Sequence, residues 1–263
     1  MDNPVDFTGR AAVVTGGTRG IGLIIAQTFL AAGADVLVCG RTEPAKVPSA
    51  QGRDAAFVAA DLREPDRARA VIDEAVRRYG RVDVLVNNAG GSPNAEAATV
   101  SPRFVEKIVA LNLLAPFYTA QAANAVMRRQ DSGGAIINIG SVSAHQPAPL
   151  SAAYSAAKAG LLQLTRALAL EWAPAVRVNH ITVGLIRTDN AAGHYGEDGG
   201  AAVAAAIPMG RLAEPTDVAA ACLFLGSPLA GYVTGADLAV HGGGEVPARF
   251  VAAARGANGG ASS

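Results

Sequence analysis

Tyr154 and Lys158 stand four residues apart in an Ala/Leu-rich stretch of helical period, so their side chains share one face. A phenol with its ordinary pKa of about 10 is a poor proton donor or acceptor at neutral pH, and an adjacent ammonium favours the phenolate and lowers that pKa. A lowering of about three units corresponds to roughly 4 kcal/mol of differential stabilisation. Ser141 lies thirteen positions before Tyr154, at the C-terminal end of an apolar run, where its hydroxyl can stand beside the same reacting oxygen. These residue types suit proton transfer at an oxygen atom, with the tyrosine as acid and base.

A second group suits an anion. Thr15-Gly16-Gly17-Thr18-Arg19-Gly20-Ile21-Gly22 follows an apolar run and opens a helical one. Glycines there let the backbone approach a ligand, and the helix N-terminus turns unpaired N–H groups toward a pyrophosphate. The spacing is G-x-x-x-G-x-G, not the commoner G-x-G-x-x-G. The next apolar run ends Val38-Cys39-Gly40-Arg41, without the carboxylate that a free ribose 2′-hydroxyl calls for. Arg41 and Arg19 instead offer two guanidinium groups suited to a 2′-phosphate. This favours NADP(H) as cofactor, with NAD(H) as the alternative.

Positioning such residues takes an ordered alternation of elements. Short β-branched runs predict strands at Ala11 to Thr15, Asp35 to Cys39, Ala55 to Ala59, Val82 to Asn87, Ala135 to Ile139, Arg177 to Ile181 and Leu238 to Val240. Several are unbroken apolar runs, as strands covered on both faces require. Helices are predicted from Gly20 to Ala32, Glu64 to Tyr79, Ser101 to Arg129, Ala152 to Trp172 and Pro215 to Leu225. The pattern predicts an α/β, Rossmann-type doubly wound parallel sheet of about seven strands with helices on both faces, in a single domain over 1–263. Pro44, Pro48 and Gly52 break any helical pattern after Arg41 and predict a loop there. Residues 185–209 read as a flexible substrate segment and 252–263 as a loose tail.

Composition narrows the function classes. The 263 residues carry 22 Lys plus Arg against 22 Asp plus Glu, and half are hydrophobic. That allows a substantial core and gives no basic surplus for phosphate backbones, so nucleic acid is not an expected partner. Cys39 and Cys222 are 183 positions apart with no His or Cys at metal-ligand spacing, which suggests neither a disulfide framework nor a zinc site. No apolar stretch reaches the roughly 18 to 20 residues of a membrane span, and Met1 to Asp6 lack the apolar core of a secretory signal. The expectation is a soluble, cytoplasmic protein without a membrane partner.

Taken together, the glycine loop, Asp61-Leu62, Asn87-Asn88-Ala89-Gly90, Asn112, Ser141, Tyr154 and Lys158 resemble the short-chain dehydrogenase/reductases, in the subgroup that includes the 3-oxoacyl carrier-protein reductases. The resemblance runs from Thr8 to about Gly243. It implies Tyr154 as general acid/base, Ser141 as hydrogen-bond partner of the substrate carbonyl, Lys158 as the group that lowers the tyrosine pKa and holds the nicotinamide ribose, and Asn112 as the holder of a relay water. It implies cofactor contacts at Gly16, Thr18, Arg19, Gly20, Ile21, Gly22 and Arg41, and at Asp61 and Leu62 near the adenine. Asn88, Ala89 and Gly90 would line the adenosine ribose, and Gly184, Ile186 and Thr188 would face the nicotinamide, with Tyr154 and Lys158 also touching the cofactor. The implied reaction passes a hydride between nicotinamide and a small-molecule carbonyl or alcohol and uses no metal. A homotetramer is implied as well, with the helices at 101–129 and 152–172 packing between subunits.

Three departures from the family pattern stand out. Val183-Gly184 replaces the usual Pro-Gly, His241 replaces a common Asp and is expected at the surface or an interface, and the helix after Arg41 is missing. His145, Leu150, His194 and Tyr195 are candidates for lining the substrate pocket. A Ser–His hydrolase finds no support, since no G-x-S-x-G elbow accompanies Ser141 or Ser143. The alternative functions are a catalytically silent dinucleotide-binding sensor or scaffold, against which the Asn112, Ser141, Tyr154 and Lys158 set argues, and an epimerase-type relative, which would need a larger substrate domain.

Overall fold

The structure is a computed structural model, and it describes residues 4–187, 198 and 200–244. Strands β1 (Ala11–Thr15), β2 (Asp35–Gly40), β5 (Ala56–Ala59), β6 (Val84–Asn87), β7 (Gly134–Ile139), β8 (Val176–Val183) and β9 (Asp237–Val240) form one parallel sheet in the order β5-β2-β1-β6-β7-β8-β9. The order reverses between β1 and β6, and the carboxyl ends of these two strands open the crevice where α/β sheets take ligands.

Alternation along the strands builds two cores. Val14, Val38, Val86 and Ile137 face α1 (Gly20–Ala31) and the last helix, α7 (Pro215–Gly226), and pack with Ile25, Phe29 and Val218. Val13, Leu37, Leu85 and Ile136 face the other way, onto α2 (Pro65–Tyr79), α4 (Ala115–Met127) and α5 (Ala152–Trp172). Most of these side chains are fully buried. At about 25 cal/mol per Å² of apolar surface, this two-sided burial is the main source of stability.

The expected strands and helices are present, with ends shifted by at most two residues. Two features differ from expectation. The region after Arg41 contains a small antiparallel hairpin, β3 (Ser49–Ala50) with β4 (Arg53–Asp54), in place of a plain loop. Gln51 and Gly52 turn it with φ of 50° and 72°, a left-handed pair that the glycine makes tolerable. The expected single helix over 101–129 is broken into α3 (Pro102–Val109), a π-helical turn at Ala110–Leu114, and α4. Pro116 in the first turn of α4 cannot donate a backbone N–H, which favours a local change of hydrogen-bond register there. Within 185–209, residues 188–197 and 199 lie outside the described residues, and Ala201–Ala204 forms a short helix, α6. The tail at 252–263 also lies outside them. Among the described residues no helix is long and apolar enough to cross a membrane.

Candidate active site

On the β1 side of the crevice the ligand-facing surface is backbone. Arg19, the residue that starts α1, makes no side-chain cap, so the first-turn N–H groups of this helix keep their donor capacity for a ligand. The turn before it is tight: a Cβ on Gly22 would stand 2.4 Å from the Gly16 carbonyl oxygen and 2.4 Å from Asn88 Nδ2. Asn88 and Ala89 brace this turn from the end of β6. Asn88 Nδ2 donates to Thr15 O at 2.9 Å, and the N–H groups of Asn88 and Ala89 donate to Thr15 Oγ1 at 2.9 and 3.0 Å.

Thr18 packs over Gly40 at the end of β2, which brings the neighbouring Arg19 and Arg41 onto adjacent loops. Both arginines are exposed. A shallow open hollow of about 270 Å³ beside Arg41 is lined by Arg41, Ala59, Ala60, Asp61, Glu64 and Arg67. Arg63 grips Asp61 through Nε and Nη2, and these hydrogen bonds hold the Asp61 carboxyl below the usual carboxylate range. Leu62 is buried beneath.

On the β7 side the surface is side chain. Lys158 is buried, donates from Nζ to Ile139 O at 2.7 Å, and lies 5.7 Å from the centre of the Tyr154 ring. Burial pushes the ammonium down to a pKa of about 8. Tyr154, one helical turn earlier on α5, is half-buried. Asn112 sits in the π-helical turn and is fully buried; it accepts the Gly91 N–H at 2.9 Å and donates to Gly91 O and Ile108 O at 3.0 and 2.9 Å. A Cβ on Gly90 would fall 2.8 Å from Asn112 Oδ1 and 3.4 Å from Lys158 Nζ, so Asn112, Gly90 and Lys158 meet at one point. Ser141 leaves β7 and starts a 3-10 turn, Val142–Ala144, that packs on α5; its Oγ accepts the Ser143 N–H at 3.2 Å.

The remaining predicted residues fall as follows. Ile186 is buried and bridges to Ala213, and Gly184 lies against the His241 backbone. Thr188, His194 and Tyr195 are outside the described residues. Leu150 is 50% exposed with φ of 62°, an uncommon conformation for leucine, and its carbonyl accepts the Ala95 N–H at 2.9 Å. His241 is half-buried and its backbone lies close against Gly184; its Nδ1 is enclosed, with no hydrogen-bond partner among the described residues. His145 is turned to Asp237. Among the described residues no cluster of His, Cys, Asp or Glu is placed to hold a metal ion.

One feature escaped the sequence reading. Asn87, Asn138, His180 and Asp237 occupy matching positions on adjacent strands and form a polar row across the face toward α4 and α5. Asn87 Nδ2 donates to Asn138 Oδ1 at 2.9 Å, Asn138 Nδ2 to Thr165 Oγ1 at 2.9 Å, and Thr119 Oγ1 to Asn87 Oδ1 at 2.6 Å. The available signal was a polar residue recurring near the same end of otherwise apolar runs, in VLVN, AIIN and VRVNH.

A doubly wound parallel sheet with a braced glycine turn at its switch point places the chain among the dinucleotide-binding α/β proteins. More narrowly, it belongs to the short-chain dehydrogenase/reductase family of oxidoreductases: residues 16–245 match the family model described as Enoyl-(Acyl carrier protein) reductase. An uncharacterized oxidoreductase of Mycobacterium tuberculosis is 38% identical over 240 residues, covering 89% of this chain and 91% of the relative. A 3alpha-hydroxysteroid dehydrogenase of Mediterraneibacter gnavus is 36% identical, covering 89% and 96%. The ligand-free aldohexose dehydrogenase of Thermoplasma acidophilum superposes with a TM-score of 0.85 at 30% identity, covering 92% of this chain and 96% of that one.

Proposed function

We propose that this protein is an NADP(H)-dependent oxidoreductase, one domain over 1–263, that interconverts a ketone and a secondary alcohol. The observation that carries the proposal is the convergence of Asn112, Gly90 and buried Lys158 beside Tyr154, across the crevice from an uncapped helix N-terminus. The glycine turn and the free first-turn amides fit a pyrophosphate, and Arg19 and Arg41 fit a 2′-phosphate, so these residues, with Asp61, Leu62, Asn88, Ala89, Ile186 and Thr188, would hold the dinucleotide. A bound nicotinamide supplies the two-electron chemistry, giving or taking a hydride at the carbonyl carbon.

The chain's own residues handle the proton and the orientation. Tyr154 gives its phenolic proton to the carbonyl oxygen in reduction and takes it back in oxidation. Ser141 donates a hydrogen bond to the same oxygen and fixes its direction. Lys158, as the ammonium, favours the phenolate of Tyr154 and steadies the ribose; its pKa of about 8 keeps it mostly charged at pH 7. Asn112, whose Nδ2 donates to Ile108 O in the π-helical turn, would hold the relay water that reloads Tyr154 through Lys158. A reducing, cytoplasmic setting suits Cys39 and Cys222, which are free and buried. A homotetramer belongs to the same proposal.

Parallel titrations with NADPH and NADH, followed by turnover on ethyl acetoacetate, cyclohexanone, a 3-ketosteroid and, in oxidation, D-glucose, test the proposal. Tighter NADPH binding with turnover of one of these supports it. Binding of neither cofactor overturns it, and binding with no turnover shifts the assignment to a dinucleotide sensor or scaffold.

A further inference from the structure

We infer that His145 and Asp237 are positioning residues, a clamp that fixes the turn carrying Ser141 onto the sheet. The inference rests on the assignment of Ser141 to the substrate carbonyl. The 3-10 turn at Val142–Ala144 has no buried residue, and its own hydrogen bonds include only Ser143 N–H to Ser141 Oγ at 3.2 Å, Ala144 N–H to Ser141 O at 2.9 Å, and His145 and Gln146 N–H to Val142 O at 2.9 and 3.1 Å. A single turn of this kind does not hold its shape in water, because the order of several residues is fixed for very few bonds. Something outside the turn must hold it.

Packing on α5 supplies part of that hold, and two imidazoles add to it from either side of Ser141. His145, at the end of the turn, places Nε2 2.8 Å from Asp237 Oδ2 on β9 and 3.1 Å from Thr182 Oγ1 on β8. His180, fully buried on β8, wedges its ring under Gly140, where a Cβ would lie 2.0 Å from the ring atoms Cε1 and Nε2. His180 Nδ1 lies 2.8 Å from Asp237 Oδ1, and Thr182 Oγ1 donates to that oxygen at 2.7 Å. Both histidines are therefore hooked to one carboxylate, His180 packing under Gly140 just before Ser141 and His145 standing four residues after it. Burial keeps His180 neutral by pushing its pKa down, so Nδ1–H is its donor. Burial pushes the Asp237 carboxyl up, but the hydrogen bonds from Thr182 and His180 and the nearby imidazoles outweigh it and keep the carboxylate charged. None of the three residues is among the motifs that carry the family resemblance.

The side chain of His145 is 44% exposed, so replacing it does not open the core. With His145→Ala, amide hydrogen exchange at residues 144–146 is expected to accelerate at least tenfold, and kcat on the fastest-turned-over compound of the panel above to fall about tenfold. Exchange in β7 and β8 and the Kd for NADPH are expected to stay within twofold. His145→Gln keeps an N–H donor at similar reach and is expected to recover most of both losses, a rescue that a bulk packing role would not show. Asp237→Ala removes both hooks and is expected to exceed His145→Ala if it folds. Wild-type exchange and kcat in His145→Ala overturn the clamp, as does a His145→Gln variant no better than alanine. Fast exchange with unchanged kcat overturns the positioning role. Ser141→Ala, measured alongside, separates the two levels: full turnover there overturns the assignment of Ser141 itself, whereas a large loss there with a silent His145→Ala overturns only the clamp.

Discussion

The β2–β1 half of the crevice and the β7–β9 half are built from opposite materials. In the first, the strand interiors are wholly apolar, Val13, Val14, Leu37 and Val38 among them, and the ligand-facing surface is main chain left bare by glycine and by an uncapped helix. In the second, polar side chains cross the sheet in register from Asn87 to Asp237, and the groups proposed for the chemistry are a buried lysine, a half-buried tyrosine and a serine on the turn that His145 ties to Asp237. Main-chain chemistry needs only local geometry and the absence of side chains. Side-chain chemistry leans on matched buried polar atoms, because an unpaired one costs about 1–3 kcal/mol; the amides of the row are matched, while His180 Nε2 and His241 Nδ1 find no partner among the described residues. Substitutions in the two halves are therefore expected to fail differently, the first in binding and the second in turnover or stability.

The largest expected effect lies in the second half. Tyr154→Phe is expected to lower turnover at least about a hundredfold, roughly 3 kcal/mol or more of transition-state stabilisation, while the Kd for NADPH stays within twofold. Steady-state kinetics beside a fluorescence titration measure both. Retained turnover removes Tyr154 from the chemistry and erases the distinction between the halves.

Lys158 supplies a stability signature of nearly the same size. Its pKa falls from 10.5 in the unfolded chain to about 8 in the cofactor-free fold. Between those values the unfolded state binds more protons, so the penalty is absent above pH 10.5, complete below about pH 8, and stability rises as pH climbs through the window. The full span is about 3 kcal/mol. Cys39, whose thiol burial pushes up to about 12, pulls the other way in the same range, so the test is the difference between wild type and Lys158→Met in urea unfolding at pH 7.5 and pH 10. A difference that does not change with pH shows that Lys158 carries no such penalty.

In the first half the expected losses are smaller and confined to the cofactor. Gly22→Ala drives a methyl group toward the Gly16 carbonyl and Asn88, and is expected to weaken NADPH about thirtyfold, or about 2 kcal/mol, with kcat at saturation within twofold. A kcat loss equal to the binding loss shows the halves to be coupled. Arg41→Ala is expected to weaken NADPH about tenfold more than NADH, or about 1.4 kcal/mol, by parallel titration. Equal losses show that Arg41 does not read a 2′-phosphate.

What was legible in the sequence follows the same division. The strand and helix order could be read because apolar runs and glycine stops are local signals, and the glycine turn could be read because its spacing is its geometry. Tyr154 and Lys158 could be paired because a helix puts residues four apart on one face. The hooks of His145 and His180 on Asp237 could not, since they join residues 92 and 57 positions apart through strand order and register. The small hairpin after Arg41 was hidden because prolines mark the end of a helix without saying what replaces it.

The π-helical turn at Ala110–Leu114 acts as a phase shift. One extra residue in a turn sets back everything after it by about 100° around the axis, compared with a continuous α-helix. Ile108, Asn112, Ala115 and Thr119 are spaced four, three and four apart, so on a straight rod they would form one stripe, and the spacing conceals the slip between α3 and α4. A helical wheel drawn over 101–129 as one cylinder therefore assigns the wrong outward face to one end or the other. Any surface by which α4 meets a neighbouring subunit has to be counted from Ala115, not from Ser101.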